Sequence, residues 1–246
     1  MGSAKKIVVR PIGAAVARDL VRRVHYSGKV TQNSQLHLGV YYAGRLEGVM
    51  QFGPPLDRRK VLPLVRGTLW NQMLELNRMA FTDALPRNSE SRAMAVAFRM
   101  LRKHRPDIKW ILSFSDATQC GDGTIYRASG FVLTGIKRNT TLLRLNDGSV
   151  VAAKALDNHR LEGGRFGSSV AKEKGAKPLP GYQFRYIRFL DPEWRDRLAV
   201  PVIPFQDIPA ETRMVRGKKT RQPVEDGCTP AVERRGRSDP GAPSSQ

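Results

Sequence analysis

The chain has 246 residues, of which 40% are hydrophobic, enough for one sizeable core of roughly 200 residues and a tail. Its formal charge of +20 argues against a surface tuned only for solubility and points to a polyanion: DNA or RNA before an anionic membrane. Cys120 and Cys228 lie too far apart for a disulfide framework or a cysteine-rich zinc site.

The charge belongs to the body of the chain. From Gln206 onward eight Lys/Arg stand against six Asp/Glu, a net of +2, so +18 falls in residues 1–205. No long apolar run or basic amphipathic helix suits a membrane. The opening MGSAKKIVV has too short an apolar stretch for a signal peptide and lacks the Ser or Thr of a myristoylation signal. A cytoplasmic protein is expected.

In chain order, AAVARDLVRRVH (14–25) spaces Val16, Leu20 and Val24 four apart, with Ala17 and Val21 beside them, which predicts an amphipathic helix. It stops at YSGK, where Gly28 supplies a left-handed residue. LHLGVYY (36–42) and LEGVMQF (46–52) flank a three-residue connection and predict a hairpin. LELNRMA (74–80) alternates so that Leu74, Leu76, Arg78 and Ala80 share one face, and an arginine on that face calls for an acidic or phosphate partner. Residues 89–104 predict a second helix with Asn88 or Ser89 as N-cap and Ala93, Ala97, Met100 and Leu101 inside.

KWILSFSD (109–116) reads as a buried strand, GDGTIYRAS as a short helix ended by Gly130, and FVLTGI as another strand. TLLRL and SVVAAKAL flank Asn146, Asp147 and Gly148, a hairpin turn. Residues 156–180 read as a long basic loop, and YQFRYIRFL (182–190) as a strand with Arg185 and Arg188 on opposite faces. The organisation predicted is an α/β domain over 1–205 with a mixed sheet, and a disordered, charged tail over 206–246.

Four scattered histidines, with no paired spacing and no HxE followed by CxxC, disfavour a zinc deaminase. No GxSxG elbow or P-loop is present. A metal site, of iron for example, built from residues distant in sequence stays open. HYSGK places His25 and Tyr26 at a helix C-terminus, where the dipole favours charged histidine. Asp116 falls at the carboxyl end of a buried strand and Tyr126 on the next helix, the position where ligands gather in open α/β sheets. Arg87, Ser89, Ser91 and Arg92 cluster at a helix N-terminus that would favour an anion, although Glu90 opposes it. For each of these groups a plain capping or packing role is the competing reading.

Taken together, HYSGK, LHLGVYYAGRLEGVMQFGPP, WNQMLELNRMAF, LPRNSESRA, KWILSFSDATQCGDGTIYRASGF and PVIPF resemble the phage Mom family of DNA modification proteins over roughly residues 20–205. The resemblance implies a fold like the GNAT N-acyltransferases, a mixed and mostly antiparallel central sheet flanked by helices. It implies conversion of adenine in double-stranded DNA to N6-carbamoylmethyladenine, which shields phage DNA from restriction. His25, Tyr26, Asp116 and Tyr126 are the catalytic positions it implies, and Arg78 and Ser91 join Arg87 and Ser89 as donor-binding positions.

By resemblance the donor is acetyl-coenzyme A. The usual Q/R-x-x-G-x-G/A loop of that superfamily, however, has Glu90 and Arg92 here where its glycines belong. A glycyl thioester or glycyl-tRNA accounts for every atom of the product, which makes tRNA a candidate partner beside flipped double-stranded DNA. An acyltransferase acting on a protein or small molecule, and a non-catalytic DNA-binding protein, are the alternatives. The oligomeric state is open.

Overall fold

A computed structural model describes residues 3–116, 121, 123–140, 142–152 and 175–208. The expected tail beyond Ile208 and most of the basic loop expected at 156–180 lie outside these, while Gln206, Asp207 and Ile208, expected in a disordered tail, are ordered because Ile208 enters the core. Within them, seven strands form one sheet: β1 (Val8–Pro11), β2 (Leu36–Tyr42), β3 (Arg45–Gly53), β4 (Met73–Phe81), β5 (Trp110–Asp116), β6 (Val132–Arg138) and β10 (Tyr182–Phe189), in the order β1-β2-β3-β4-β5-β10-β6. Every neighbouring pair is antiparallel except β4 with β5. This is the mixed, mostly antiparallel sheet that was expected. A smaller sheet joins β8 (Val150–Ala152), β7 (Leu142–Arg144) and β9 (Lys177–Pro178), with the expected Asn146-Asp147-Gly148 turn between β7 and β8.

The β2–β3 hairpin closes through Ala43 and Gly44, both left-handed, which suits the twist of the strands they join. Helix α3 (Ser89–His104) buries Ala93, Met94, Ala97, Phe98 and Leu101 against one face of the sheet, with Leu38, Met50, Phe52, Ile111, Phe184 and Tyr186 beneath it. The short α4 (Thr124–Ala128) adds Tyr126 to the same cluster. Helix α1 (Ala14–Val24) buries Ala17, Leu20 and Val21 on the opposite face, against Val49 and Ala80. Val16, expected inside, is 50% exposed, because the buried stripe of α1 follows 17, 20, 21 and 24. A third cluster, around Trp110, Leu112 and Ile187, is covered by Val61 of α2 (Arg58–Val61), Leu64 and Trp194.

Beyond the last strand the chain stays packed as far as Ile208, which is 2% exposed and part of the α3-side core. No helix among the described residues is long and apolar enough to cross a membrane.

Candidate active site

The parallel pair β4–β5 is in register only at Met73–Trp110, Leu74–Ile111 and Glu75–Leu112. Beyond these, β4 continues beside β3 and β5 continues beside β10, so the sheet opens into a split flanked by two carboxyl-terminal strand halves. The Ser113 hydroxyl donates to Leu76 O at 3.4 Å across its base. Glu75 is the last residue of β4 before the opening.

A bulge in β4 decides which side chains line the split. Gln51 pairs with Arg78 and Phe52 with Leu76, leaving Asn77 as the extra residue. Before the bulge Leu74 and Leu76 face the α3 cluster; after it Met79 and Phe81 do, and Ala80 faces α1. The expectation that Leu74, Leu76, Arg78 and Ala80 share a face is therefore corrected. The inserted residue reverses the alternation and turns Arg78 to the α1 side.

Asn77 itself is buried. Its Oδ1 accepts from Ser34 Oγ at 3.1 Å, and Glu75 also hydrogen-bonds its side chain. The loop carrying Ser34 is pressed onto Gly53, where a Cβ would lie 2.2 Å from Asn33 O. Only a glycine admits that backbone so closely.

On the α1 face, the Arg78 guanidinium donates through Nε to Lys29 O at 3.0 Å and through Nη1 to Asn77 O at 2.8 Å. These two carbonyls fix its orientation, and the nearby acid is Glu75, on whose carboxyl its charge acts. His25 caps the C-terminus of α1, and its Nδ1 lies 2.8 Å from Ser27 Oγ. The imidazole stacks at 4.2 Å on Tyr26, whose ring is 51% exposed. Burial, helped by the charge of Arg78, lowers the pKa of His25 to about 4. The expected charged histidine is thus corrected: desolvation and a nearby cation outweigh a helix end, which is worth ~0.3–1 kcal/mol at an exposed site.

Glu75 carries the opposite perturbation. Burial pushes its carboxyl up to about 7, against the pull of Asn77 and of Arg78. An acid poised at neutrality beside an open split is suited to taking and returning protons. In sequence Glu75 carries no signal, because LELNRMA marks it as one more outward residue of an alternating strand. Nothing local announces that β5 and the bulge will bury it.

Along β5, Trp110 and Leu112 belong to the cluster opposite α3 and Ile111 to the α3 side, so Phe114 and Asp116 continue on the α1 face. Phe114 is 43% exposed there. His25, Tyr26 and Arg78 thus lie on the side of the sheet opposite α3, and strand alternation puts Asp116, Glu75 and Phe114 on that same side.

Tyr126 belongs to the other face. It packs on Phe131 at 5.3 Å and Tyr186 at 5.2 Å, and its hydroxyl points to Phe114 O at 3.5 Å across the split's β5 wall. Ser89 and Ser91 lie on the α3 side, in the first turn of α3. Asn88 takes the N-cap position in a left-handed conformation without a side-chain cap, Ser91 Oγ donates to Asn88 O at 3.1 Å, and Ser89 Oγ is buried without a partner. Arg87 stands just before this turn. Among the described residues no three His, Cys, Asp or Glu side chains are grouped to hold a metal ion.

The profile of the Mom protein family matches residues 6–207. The methylcarbamoylase Mom of Escherichia phage Mu is 35% identical over 207 residues, covering 83% of this chain and 84% of that protein. Among solved structures, the ribosomal-protein-S18-alanine N-acetyltransferase of Escherichia coli covers 75% of this chain and 94% of its own at 10% identity and a TM-score of 0.42. A spermidine/spermine N-acetyltransferase of Vibrio cholerae covers 76% and 95% at 8% identity and 0.43.

Proposed function

This chain belongs to the Mom protein family and is a transferase, and we propose that it converts adenine in double-stranded DNA to N6-carbamoylmethyladenine, protecting phage DNA from restriction. The observation that carries this reading is the bulge-built face beside the β4–β5 split, where a neutral imidazole, a neutrality-poised carboxyl and a fixed guanidinium meet exposed aromatic rings. The +20 charge supports a grip on the phosphate backbone. An adenine flipped from the duplex would stack on Phe114 or Tyr26, and such stacking is worth ~1–3 kcal/mol per base.

The first turn of α3 suits an anion, since it combines uncapped helix amides with the orphaned hydroxyl of Ser89. It does not fit a coenzyme A pyrophosphate cradled by bare amides, because Glu90 and Arg92 fill the glycine positions and Glu90 is an acid in the first turn. No step is therefore routed through coenzyme A. The donor we favour is a glycyl ester or thioester, glycyl-tRNA being one, with its anionic end at Arg87, Ser89 and Ser91.

The chemistry then balances in two steps. The adenine N6 attacks the glycyl carbonyl, an N–C bond forms, and the donor's ester or thioester bond breaks. Asp116 accepts the proton from N6, and Tyr26, exposed on that face, supplies one to the leaving group, while Tyr126, buried on the other face, braces the β5 wall through Phe114 O. Next the free glycyl amine attacks ring carbon 6 through a five-membered spiro intermediate and expels the amide nitrogen, leaving a carboxamide. Glu75 suits the proton carried from the attacking amine to the departing nitrogen, since a carboxyl near 7 can both accept and donate. Arg78 would hold the glycyl carbonyl oxygen as charge develops on it.

Mass spectrometry of nucleosides from the DNA of cells expressing the full chain tests the reading. Modified adenine is expected, carrying both carbons of supplied labelled glycine. Unmodified DNA overturns the function; modified adenine without label overturns the glycyl donor alone.

A further inference from the structure

At the far end of α3, roughly 20 Å along the axis from Ser89 at 1.5 Å per residue, three arginines meet away from the split. Arg102 comes from the last turn of α3, Arg188 from β10 and Arg195 from the turn Pro192–Arg197. They border one cavity of about 140 Å³ whose walls also include Val132 and Leu190. Among the described residues none of the three forms an ion pair: Asp191, the acid nearest Arg188 in sequence, is held by Lys109 Nζ at 3.1 Å, and Glu193 and Asp196, which flank Arg195 in sequence, make no ion pair with it.

Arg188 is fixed in place. Its Nη1 donates to Gly130 O at 3.0 Å, and the left-handed Gly130 leaves room for it, since a Cβ there would stand 2.7 Å from Nη1. Its Nε is buried and has no hydrogen-bond partner. Burial, and then the charges of Arg102 and Arg195, lower its pKa, so the three cations feel one another. Like charges drawn together at a partly buried site, with an N–H left unbonded, raise the free energy of the empty pocket. A multiply charged anion reverses that term.

We propose that the Arg102, Arg188 and Arg195 cavity is a phosphate-binding site. A tetrahedral phosphate carries up to two negative charges and offers oxygens to several guanidinium forks in three dimensions, whereas a carboxylate carries one charge on two coplanar oxygens. The phosphate has two possible sources, the backbone of a DNA duplex or free inorganic phosphate. The site goes beyond the modification chemistry, and only its duplex source rests on that reading.

The test uses the full chain and the double variant R102Q/R195Q, in which both altered side chains are exposed, with thermal melting to verify the fold. Equilibrium dialysis against radiolabelled inorganic phosphate at low salt is expected to give binding that falls at least tenfold in the double variant and is unchanged in Arg45→Gln, at an exposed residue of the β2–β3 hairpin. In parallel, the slope of log K for a duplex against log salt is measured. A slope reduced by about one in the double variant assigns the site to a backbone phosphate. An unchanged slope with lost phosphate binding assigns it to free phosphate. Unchanged values in both measurements overturn the proposal, and neither measurement requires that adenine be modified.

Discussion

Ser34 and Asn77 are joined by a buried hydrogen bond of 3.1 Å that ties the loop after α1 to the bulge of β4. Without Asn77 as an inserted residue, Arg78 would point into the α3 core instead of toward His25. Ser34→Ala is expected to cost about 1–3 kcal/mol of stability, since it removes both the bond to Asn77 and the 2.6 Å bond between the Ser34 and Thr31 hydroxyls. Chemical denaturation measures that cost. The same variant is expected to lower modified adenine in host DNA severalfold, because the bulge sets the position of Arg78.

Arg78→Lys is expected to abolish modification while leaving duplex affinity within about twofold. Two carbonyls, Lys29 O and Asn77 O, hold the guanidinium by different nitrogens, and a single ammonium cannot span them in the same geometry. Nucleoside analysis and a duplex-binding titration, run together, check both halves.

The stability of the protein is expected to bend with pH around neutrality. Glu75 is raised when folded, so the folded state holds its proton between the ordinary 4.5 and about 7, and stability falls as pH rises through that window. His25 is lowered when folded, so the unfolded state binds the extra proton between about 4 and 6.5, and stability falls as pH drops through that range. The two trends oppose each other from 6.5 to 4.5, leaving a net loss between 6.5 and 7 from Glu75 alone. Glu75→Gln should flatten the melting temperature across pH 6.5 to 8, and melts of both proteins through that range decide it.

Phe114→Ala is expected to leave folding intact, since the residue is 43% exposed and belongs to none of the three buried clusters, and to reduce modified adenine by tenfold or more. Phe114→Trp should retain modification, because a larger ring preserves the stacking surface. A destabilised Phe114→Ala protein, or full modification by it, would remove Phe114 from the adenine site.

Glu90→Gln at the start of α3 is expected to weaken the fold by about 0.3–1 kcal/mol, since an acid there complements the helix dipole. It should raise modification nonetheless, by removing a negative charge from the anion's approach. Melting temperature and modified adenine would thus move in opposite directions.

Much of this protein was readable along the chain. The β-rich runs of 36–42 and 46–52, the Asn-Asp-Gly turn and the apolar stripe of α3 are local patterns, and each appears in the fold where the pattern put it. The family motifs also imply roles for His25, Arg78 and Asp116. Tertiary structure decided how these residues meet. Whether Arg78 faces α1 or α3 depends on one inserted residue opposite Gln51, and a bulge is a property of two strands, not of one. The raised carboxyl of Glu75 and the lowered imidazole of His25 likewise arise from burial by segments distant in sequence. So does the meeting of Arg102, Arg188 and Arg195, which lie up to 93 positions apart. Periodicity is written residue by residue, but desolvation and charge proximity are sums over the whole fold, and only the folded chain performs them.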